Sequence, residues 1–445
     1  MANSYLSNTI SSGSTGKIFT LSAWVKFTSL STNSELWSVS NDGTVHNYID
    51  ICFKSGVLDM QFKLANGQTF MRRKTTKLFR DPNAFYHIVL RFDSTNSTAA
   101  DRFRLYVNGV QETSFDNDGT ASTFPSDFVT ALSTNGANQY IGRTVGYTSY
   151  WNGYMSHVAL VDGQSLAPTS FGETDSTSGI WKFKSPSGIT WGTNGFHLKF
   201  ENSGALGTDS SGNSNTFTVN GNLKQALDTP SNVYATLNAL QRIDDYNFSN
   251  GNNTFTNTST GAHRCVHSTL SASSGKWYAE VKVVEVGGTY PQIGVINPDV
   301  ITFTDYLGGS NKGYGYLSDG RKQINTSATS YGNTYTTGDI IGIAMDLDNH
   351  KLYFSKNGTF QNSGVPTSGS TGTGAIDLAT GVFYSFGQSS YKDSSNPVYS
   401  WNFGNGFFGT TAITSAGSNG NGSLFEYDVP TGFYALNTKN INTYG

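Results

Sequence analysis

Seven glutamates are spread along the 445 residues, at positions 35, 112, 173, 201, 280, 285 and 426. Sugar hydrolysis on a β-sheet needs two carboxyl groups close together on one strand face, one acting as acid and the other as nucleophile or base. Side chains alternate along a strand, so such a pair must be an even number of residues apart. Glu280 and Glu285 are the nearest two and have odd spacing. Asp346 and Asp348 have the right parity and would sit roughly 6.5 Å apart along a strand. They fall where an apolar strand turns, and turns favour Asp for its own sake. No residue is assigned a catalytic role, and the chain is read as a non-enzyme.

Metal chemistry has two candidate stretches. His263, Cys265 and His267 would share one strand face, but they could converge on an ion only if the strand bent, since zinc ligands lie about 2.0–2.3 Å from the metal. The plainer reading puts Cys265 in the core, with the histidines near the strand ends. Asp116, Asn117, Asp118 and Gly119 are rich in oxygen donors of the kind calcium takes, but lack the twelve-residue loop and terminal Glu of an EF-hand. A simple turn accounts for them, and for Asp209-Ser210-Ser211-Gly212-Asn213. No Gly-x-Ser-x-Gly or phosphate-cradling glycine loop is present. The remaining signal is aromatic: Tyr147, Tyr150 and Trp151 crowd a polar loop with Asn152. Flat rings there could stack on sugar faces or anchor a protein, or could simply fill the sandwich.

The elements that carry these residues read as strands. In 86–109, Tyr86, Ile88, Leu90 and Phe92 line one face, and Phe103, Leu105 and Val107 continue it after a polar turn. In 340–358, Ile341, Ile343, Met345 and Leu347 are answered by Leu352 and Phe354. Each hairpin runs into Asn-Gly, at 108–109 and 357–358, the dipeptide suited to a tight turn with two positive φ angles. Leu21, Ala23, Val25 and Phe27 point inward from another strand, with Ser22, Trp24 and Lys26 outward or under a loop. Segments 196–200 and 215–219 close the first sandwich. Strands follow one another without intervening helices, so the expected fold is all-β: two antiparallel jelly-roll sandwiches in tandem. The expected domains are 1–222 and 247–445. Between them, 223–246 is a linker in which Val233, Leu237 and Leu240 permit a short helix.

Composition agrees. Fifty Gly, 29 Phe, 24 Tyr and 7 Trp describe short strands and many turns. A charged fraction of 13% and a net charge of −3 give no basic field for nucleic acid. No apolar run approaches the roughly 20 residues of a spanning helix, so membrane insertion is not expected. The start, MANSYLSNTISSG, has no signal-peptide pattern, which points to synthesis in a cytoplasm. Cys52 and Cys265 lie in different expected domains, and both read as small apolar strand residues rather than a disulfide.

The stretches LSAWVKF (21–27), RLYVNGVQ (104–111) and YIGRTVGYTSYWNGYMSHVALVDGQSLAP (140–168) resemble the LamG-like branch of the concanavalin A jelly rolls. Residues 1–28 and 196–240 resemble modules in virion proteins of marine tailed phages. SGKWYAEV (274–281), IGV (293–295), GDIIGIAMDLDNHKLYFSKNG (338–358), YSWNFGNGFF (399–408) and GFYALNTKNIN (432–442) resemble a SPRY domain. The resemblance implies recognition rather than chemistry. It places Tyr290, Asp305, Tyr306, Tyr314 and Tyr331 in or beside the loops that form the SPRY ligand edge, and a calcium at a loop edge of the first domain, where Asp116, Asn117 and Asp118 are the candidates. The expected function is a non-enzymatic phage virion protein, a tail fibre or a capsid or tail decoration, binding host-surface glycan or protein. It would be made in the host cytoplasm, sit on the virion surface beside other virion structural proteins, and form a homo-oligomer. The rivals are a purely structural decoration protein and a polysaccharide depolymerase on a glucanase-like sandwich.

Overall fold

The computed structural model describes residues 3–29, 33–41, 47–63, 70–146, 149–240, 246–300 and 306–445. The chain divides into two compact units, residues 1–225 with 229–231, and residues 226–228 with 232–445. Each unit is an antiparallel β-sandwich with its own core, as the strand alternation requires.

In the first unit, one sheet has eight strands among the described residues. Phe115–Asp116 lies at one edge, followed by Phe70–Thr75, Val57–Lys63, Tyr48–Lys54, Ser34–Ser40, Asn138–Ile141, Tyr5–Thr9 and Thr218–Asn220. The facing sheet runs Phe196–Leu198, Gly153–Asp162, Ile18–Phe27, Tyr86–Asp93, Phe103–Val107 and Val110–Glu112. The first hairpin forms as its pattern demands, with Ile88 opposite Val107, Leu90 opposite Leu105 and Phe92 opposite Phe103. All six belong to the core or pack against it. Asn108 and Gly109 have φ of 49° and 77°. The segments at 196–198 and 218–220 do close this unit, one on each sheet.

The second unit repeats the device. Ile343 opposes Phe354 and Met345 opposes Leu352, and Asn357 and Gly358 have φ of 49° and 81°. In both cases the Asn side chain accepts a 2.8 Å bond from a backbone N–H near the start of the hairpin's first strand, at the end away from its turn: His87 in one and Ile340 in the other. Local sequence and global register therefore agree twice.

One expectation changes. No helix forms in the described residues 223–240. Val233, Leu237 and Leu240 do not make one buried stripe: Leu240 stays exposed while Ala235 and Leu237, two apart, are buried. The stretch is extended, with Ala235 N–H donating to Leu436 at 3.0 Å and Leu237 N–H to Asn252 at 2.9 Å. Burying alternate residues against the second core outweighs a weak helical pattern. The helix that does form is Thr438–Tyr444, capped by the Asn437 side chain, which accepts the Asn440 N–H at 2.8 Å.

Candidate functional site

Strand register brings polar residues of the first unit together on the outer face of its eight-stranded sheet. Ser7 pairs with Tyr140, Tyr140 with Ser38, Ser38 with Asp50, Asp50 with Gln61 and Gln61 with Arg72. Partners in register share a face, so this is one row across six strands. A second row runs Glu35, Cys52, Asp59, Lys74. The opposite face carries Ile49, Ile51, Phe53, Leu58, Met60 and Phe62 into the core.

Glu35 reaches this face through a β-bulge. Trp37 opposes Ile51 and Ser38 opposes Asp50, a register that would set residue 35 against Phe53 and the core. The shift between Glu35 and Trp37 sets it against Cys52 instead. Glu35 is 4% exposed. Burial raises its pKa well above the carboxylate range, and the charge and hydrogen bond of Asp50 raise it further. Asp50 is also raised by burial, opposed by the hydroxyl of Thr144, which donates to it at 2.8 Å. The two carboxyls therefore share a proton near neutrality, held mainly by Glu35. Burial and the neighbouring carboxylates push the Cys52 thiol up as well.

Asp59, fully buried, is clasped by Arg72, whose Nε donates to one oxygen at 2.8 Å and Nη2 to the other at 2.5 Å. The close Glu35–Asp50 pair was not legible from parity within one strand, because its members come from neighbouring strands. Asp50 and Cys52 at i, i+2 were the visible half of the signal. Cys52 is thus corrected: it is buried, but beside acids on the outer face rather than in the apolar core.

The same face carries an aromatic platform. The Tyr5 ring lies 5.8 Å from Tyr140 and 6.0 Å from Tyr150. The Arg143 guanidinium sits 4.8 Å over Tyr5 and 5.1 Å over Tyr140. All four side chains are half-buried. No ion pair joins Arg143 to a carboxylate among the described residues, and its Nε has no hydrogen-bond partner. Stacked rings beside a guanidinium held by cation–π contact can take a flat ligand face and an anionic or carbonyl group together.

The expected site residues scatter. Tyr150 belongs to this platform, but Trp151 packs on the first core, its ring 5.6 Å from Phe27. Asn152 accepts a 2.6 Å bond from the Thr28 hydroxyl. Tyr147 and Asp305 lie outside the described residues. Tyr290 is 53% exposed with φ of 57°, whereas Tyr306 is half-buried against His263 at 5.2 Å. Tyr314 and Tyr331, at 4% and 6% exposure, fill the second core and offer no ring face to a ligand. Their hydroxyls accept the backbone N–H of Ala379 at 2.9 Å and of Phe354 at 3.3 Å. For Tyr314 the alternation with Tyr316 on the strand GYGYL was a signal of a core position.

The Asp116–Asp118 loop lies against cations of the sheet: Lys74 bonds Asp116 at 2.8 Å, and Arg72 bonds Asp118. Cys265 is buried as the plain reading expected, but in a small separate cluster with Ile296 and Leu307, because its strand neighbour Val266 is the one that enters the main second core and adjacent side chains point to opposite faces. Among the described residues, His263, Cys265 and His267 do not bring their donor atoms together as a metal-binding group. Asp346 is buried, paired with Lys276 at 2.9 Å and bonded by the Asn349 backbone and side-chain amides, the work of a turn.

One buried cluster imitates a nucleophile pair. Ser22 Oγ is 2.9 Å from His87 Nε2, under the stacked ring of Trp24. Trp181 Nε1, which can only donate, bonds His87 Nδ1 at 2.9 Å. The proton therefore resides on Nε2 and is donated to Ser22, so this imidazole cannot take the serine's proton. Burial holds its pKa down at about 3. A fluorophosphonate probe is expected to leave Ser22 unlabelled by mass spectrometry; stoichiometric adduct at Ser22 would contradict the assigned tautomer.

Residues 2–169 match the family model described as the concanavalin A-like lectin/glucanases superfamily (Laminin_G_3), and residues 276–390 match the SPRY domain. Ran-binding protein 9 of Danio rerio is 34% identical over 92 residues, 20% of this chain and 15% of its own length. The Homo sapiens protein of that name is 35% identical over 92 residues, 20% and 12%. The ATP-dependent RNA helicase DDX1 of Xenopus laevis is 32% identical over 96 residues, 22% and 12%. The chain thus spans a small part of the length of these relatives. Among solved structures, the SPRY domain of human HERC1 covers 35% of this chain and 91% of its own, at 16% identity and TM-score 0.28. The TRIM65 PSpry domain covers 38% and 91%, at 14% identity and TM-score 0.29.

Proposed function

We propose, for a chain that carries a LamG-like concanavalin A-type domain followed by a SPRY domain, that its work is binding and not catalysis. The outer face of the first unit holds the ligand, a host-surface glycan or a protein. The observation that carries this is the platform of Tyr5, Tyr140 and Tyr150 with Arg143, whose guanidinium lies over two of the rings and makes no ion pair among the described residues. The neighbouring carboxyls do not suit glycoside cleavage. A retaining enzyme holds its pair about 5–5.5 Å apart and an inverting one further, whereas Glu35 and Asp50 are hydrogen-bonded to each other and Glu35 is buried. The wider setting proposed is the surface of a tailed-phage virion, on tail or capsid, after synthesis in the host cytoplasm. There the chain would be a homo-oligomer beside other virion structural proteins. This placement rests on the resemblance of residues 1–28 and 196–240 to phage modules.

A glycan array and a host-cell binding assay on the purified chain test the reading. Saturable binding is expected, weakened about fivefold or more by Tyr140→Ala and by Arg143→Ala, since each loses a stacking or cation–π contact of about 1 kcal/mol or more. Tyr314→Phe, in the second core, should leave it unchanged. Absence of binding to both would favour the structural decoration protein. Release of reducing ends from host polysaccharide would establish the depolymerase.

A further inference from the structure

We infer that Glu35, Asp50 and Cys52 form a binding site for a divalent metal of the zinc class on the outer face of the first unit's large sheet. One ligand atom from each lies within 4.8 Å of the others. The three come from the paired strands Ser34–Ser40 and Tyr48–Lys54, so the backbone holding them is fixed by sheet hydrogen bonds rather than by a loop. Around a tetrahedral zinc, oxygens at about 2.0–2.2 Å and sulfur at about 2.3 Å stand roughly 3.3–3.8 Å apart. Side-chain rotation of about 1 Å closes the present arrangement onto an ion.

A second observation points the same way. Oε2 of Glu35, a residue only 4% exposed, is buried and receives no hydrogen bond from an N–H or hydroxyl donor; the polar group against Glu35 is the Asp50 carboxyl, which it can face only by sharing a proton or a cation. A desolvated carboxylate oxygen left unpaired is costly, and buried polar atoms ordinarily find a partner. Among the described residues no cationic side chain forms an ion pair with it: Arg72 is committed to Asp59 and Asp118, and the exposed Lys54 acts on Glu35 only through its charge. A metal ion would supply what the oxygen lacks.

The donor set also selects the ion. One thiolate with two carboxylates suits a borderline metal such as zinc, while calcium and magnesium take oxygen alone. Thr144, donating to Asp50 at 2.8 Å, is the outer-shell group that would aim this carboxylate. Asp59, next across the sheet from Cys52, stays with Arg72, which leaves the fourth position to water. Such a site is separate from the Asp116–Asp118 loop.

The test is cobalt titration of the full chain after chelator treatment, with Co²⁺ standing in for zinc. One equivalent should bind with a thiolate-to-cobalt absorption band in the near ultraviolet, and Zn²⁺ should abolish the band by displacement. Cys52→Ser should remove the band, and Glu35→Gln should weaken binding at least tenfold. Thr144→Val should weaken it about tenfold. Cys265→Ser, changing the only other cysteine of the chain, and Asp118→Asn should leave it intact. Should Cys52→Ser not fold, Glu35→Gln carries the test, with thermal unfolding showing that its metal-free form is native. Absence of a sulfur band in the native protein, or a band that survives Cys52→Ser, would overturn the inference and leave the cluster as a proton-sharing carboxyl pair beside a buried thiol.

Discussion

Replacing Arg72 by methionine is expected to destabilise the first unit by about 3–5 kcal/mol, the usual cost of stripping one partner from a buried ion pair. Asp59 has no exposed surface and receives two of the Arg72 donors. Without them its carboxylate keeps, among the described residues, a 3.4 Å contact from the Gln61 amide. The cost comes from an abandoned charge rather than from a lost attraction. The double variant Arg72→Met with Asp59→Leu should therefore recover most of the loss, because no charge remains to be solvated. Urea unfolding followed through the tryptophans of the first unit measures both. A single-variant loss under about 1 kcal/mol, or a double variant worse than the single, would show that the pair is a solvated surface contact.

Glu280 gives the second unit a stability that falls as pH rises. It is fully buried on the strand Lys276–Glu285. Its carboxylate accepts the backbone N–H of Glu426 at 2.8 Å and of Tyr427 at 2.9 Å, and the Tyr278 hydroxyl at 3.2 Å. Those bonds favour the charged form, but burial outweighs them and lifts the pKa from 4.5 to about 7. The folded chain thus binds this proton more tightly than the unfolded chain. The stabilisation is complete below pH 4.5 and is lost between there and about pH 7, amounting to about 3 kcal/mol at 1.36 kcal/mol per unit. Glu280→Gln cannot titrate, so its unfolding free energy should be flatter over that window. It should also be lower than wild type at pH 5, because the amide nitrogen cannot accept the second backbone N–H. Urea midpoints of the second unit, read from Trp277 and Trp401 at pH 5 and pH 8, check this. Equal pH slopes for the two proteins would show that Glu280 keeps an ordinary pKa.

The sandwiches themselves were legible because alternation is a local property. Ile88, Leu90 and Phe92 announce their face whatever the rest of the chain does, and Asn108-Gly109 and Asn357-Gly358 announce the turns. Aromatic loop residues were less so. The SPRY resemblance placed Tyr314 and Tyr331 in or beside a ligand edge, yet both turned inward, where a Tyr hydroxyl finds backbone partners at the core margin. Tyr150 did reach a ligand-like surface, and Tyr140 and Arg143 come from the same stretch of chain, but Tyr5 belongs to a strand far away in sequence that only sheet register brings alongside them. The apolar pattern at 233–240 was ambiguous between helix and strand, and only the second core could choose.

From residue order alone came the all-β class, the two hairpins and the poverty of paired glutamates within any one strand. Tertiary structure decided what lies across from what: a one-residue bulge near Leu36 moved Glu35 from the core side to the side of Asp50 and Cys52. The reason is physical. Alternation is written by neighbours along one strand, whereas register is settled by the sum of contacts between strands, and a single inserted residue reverses which face a side chain joins.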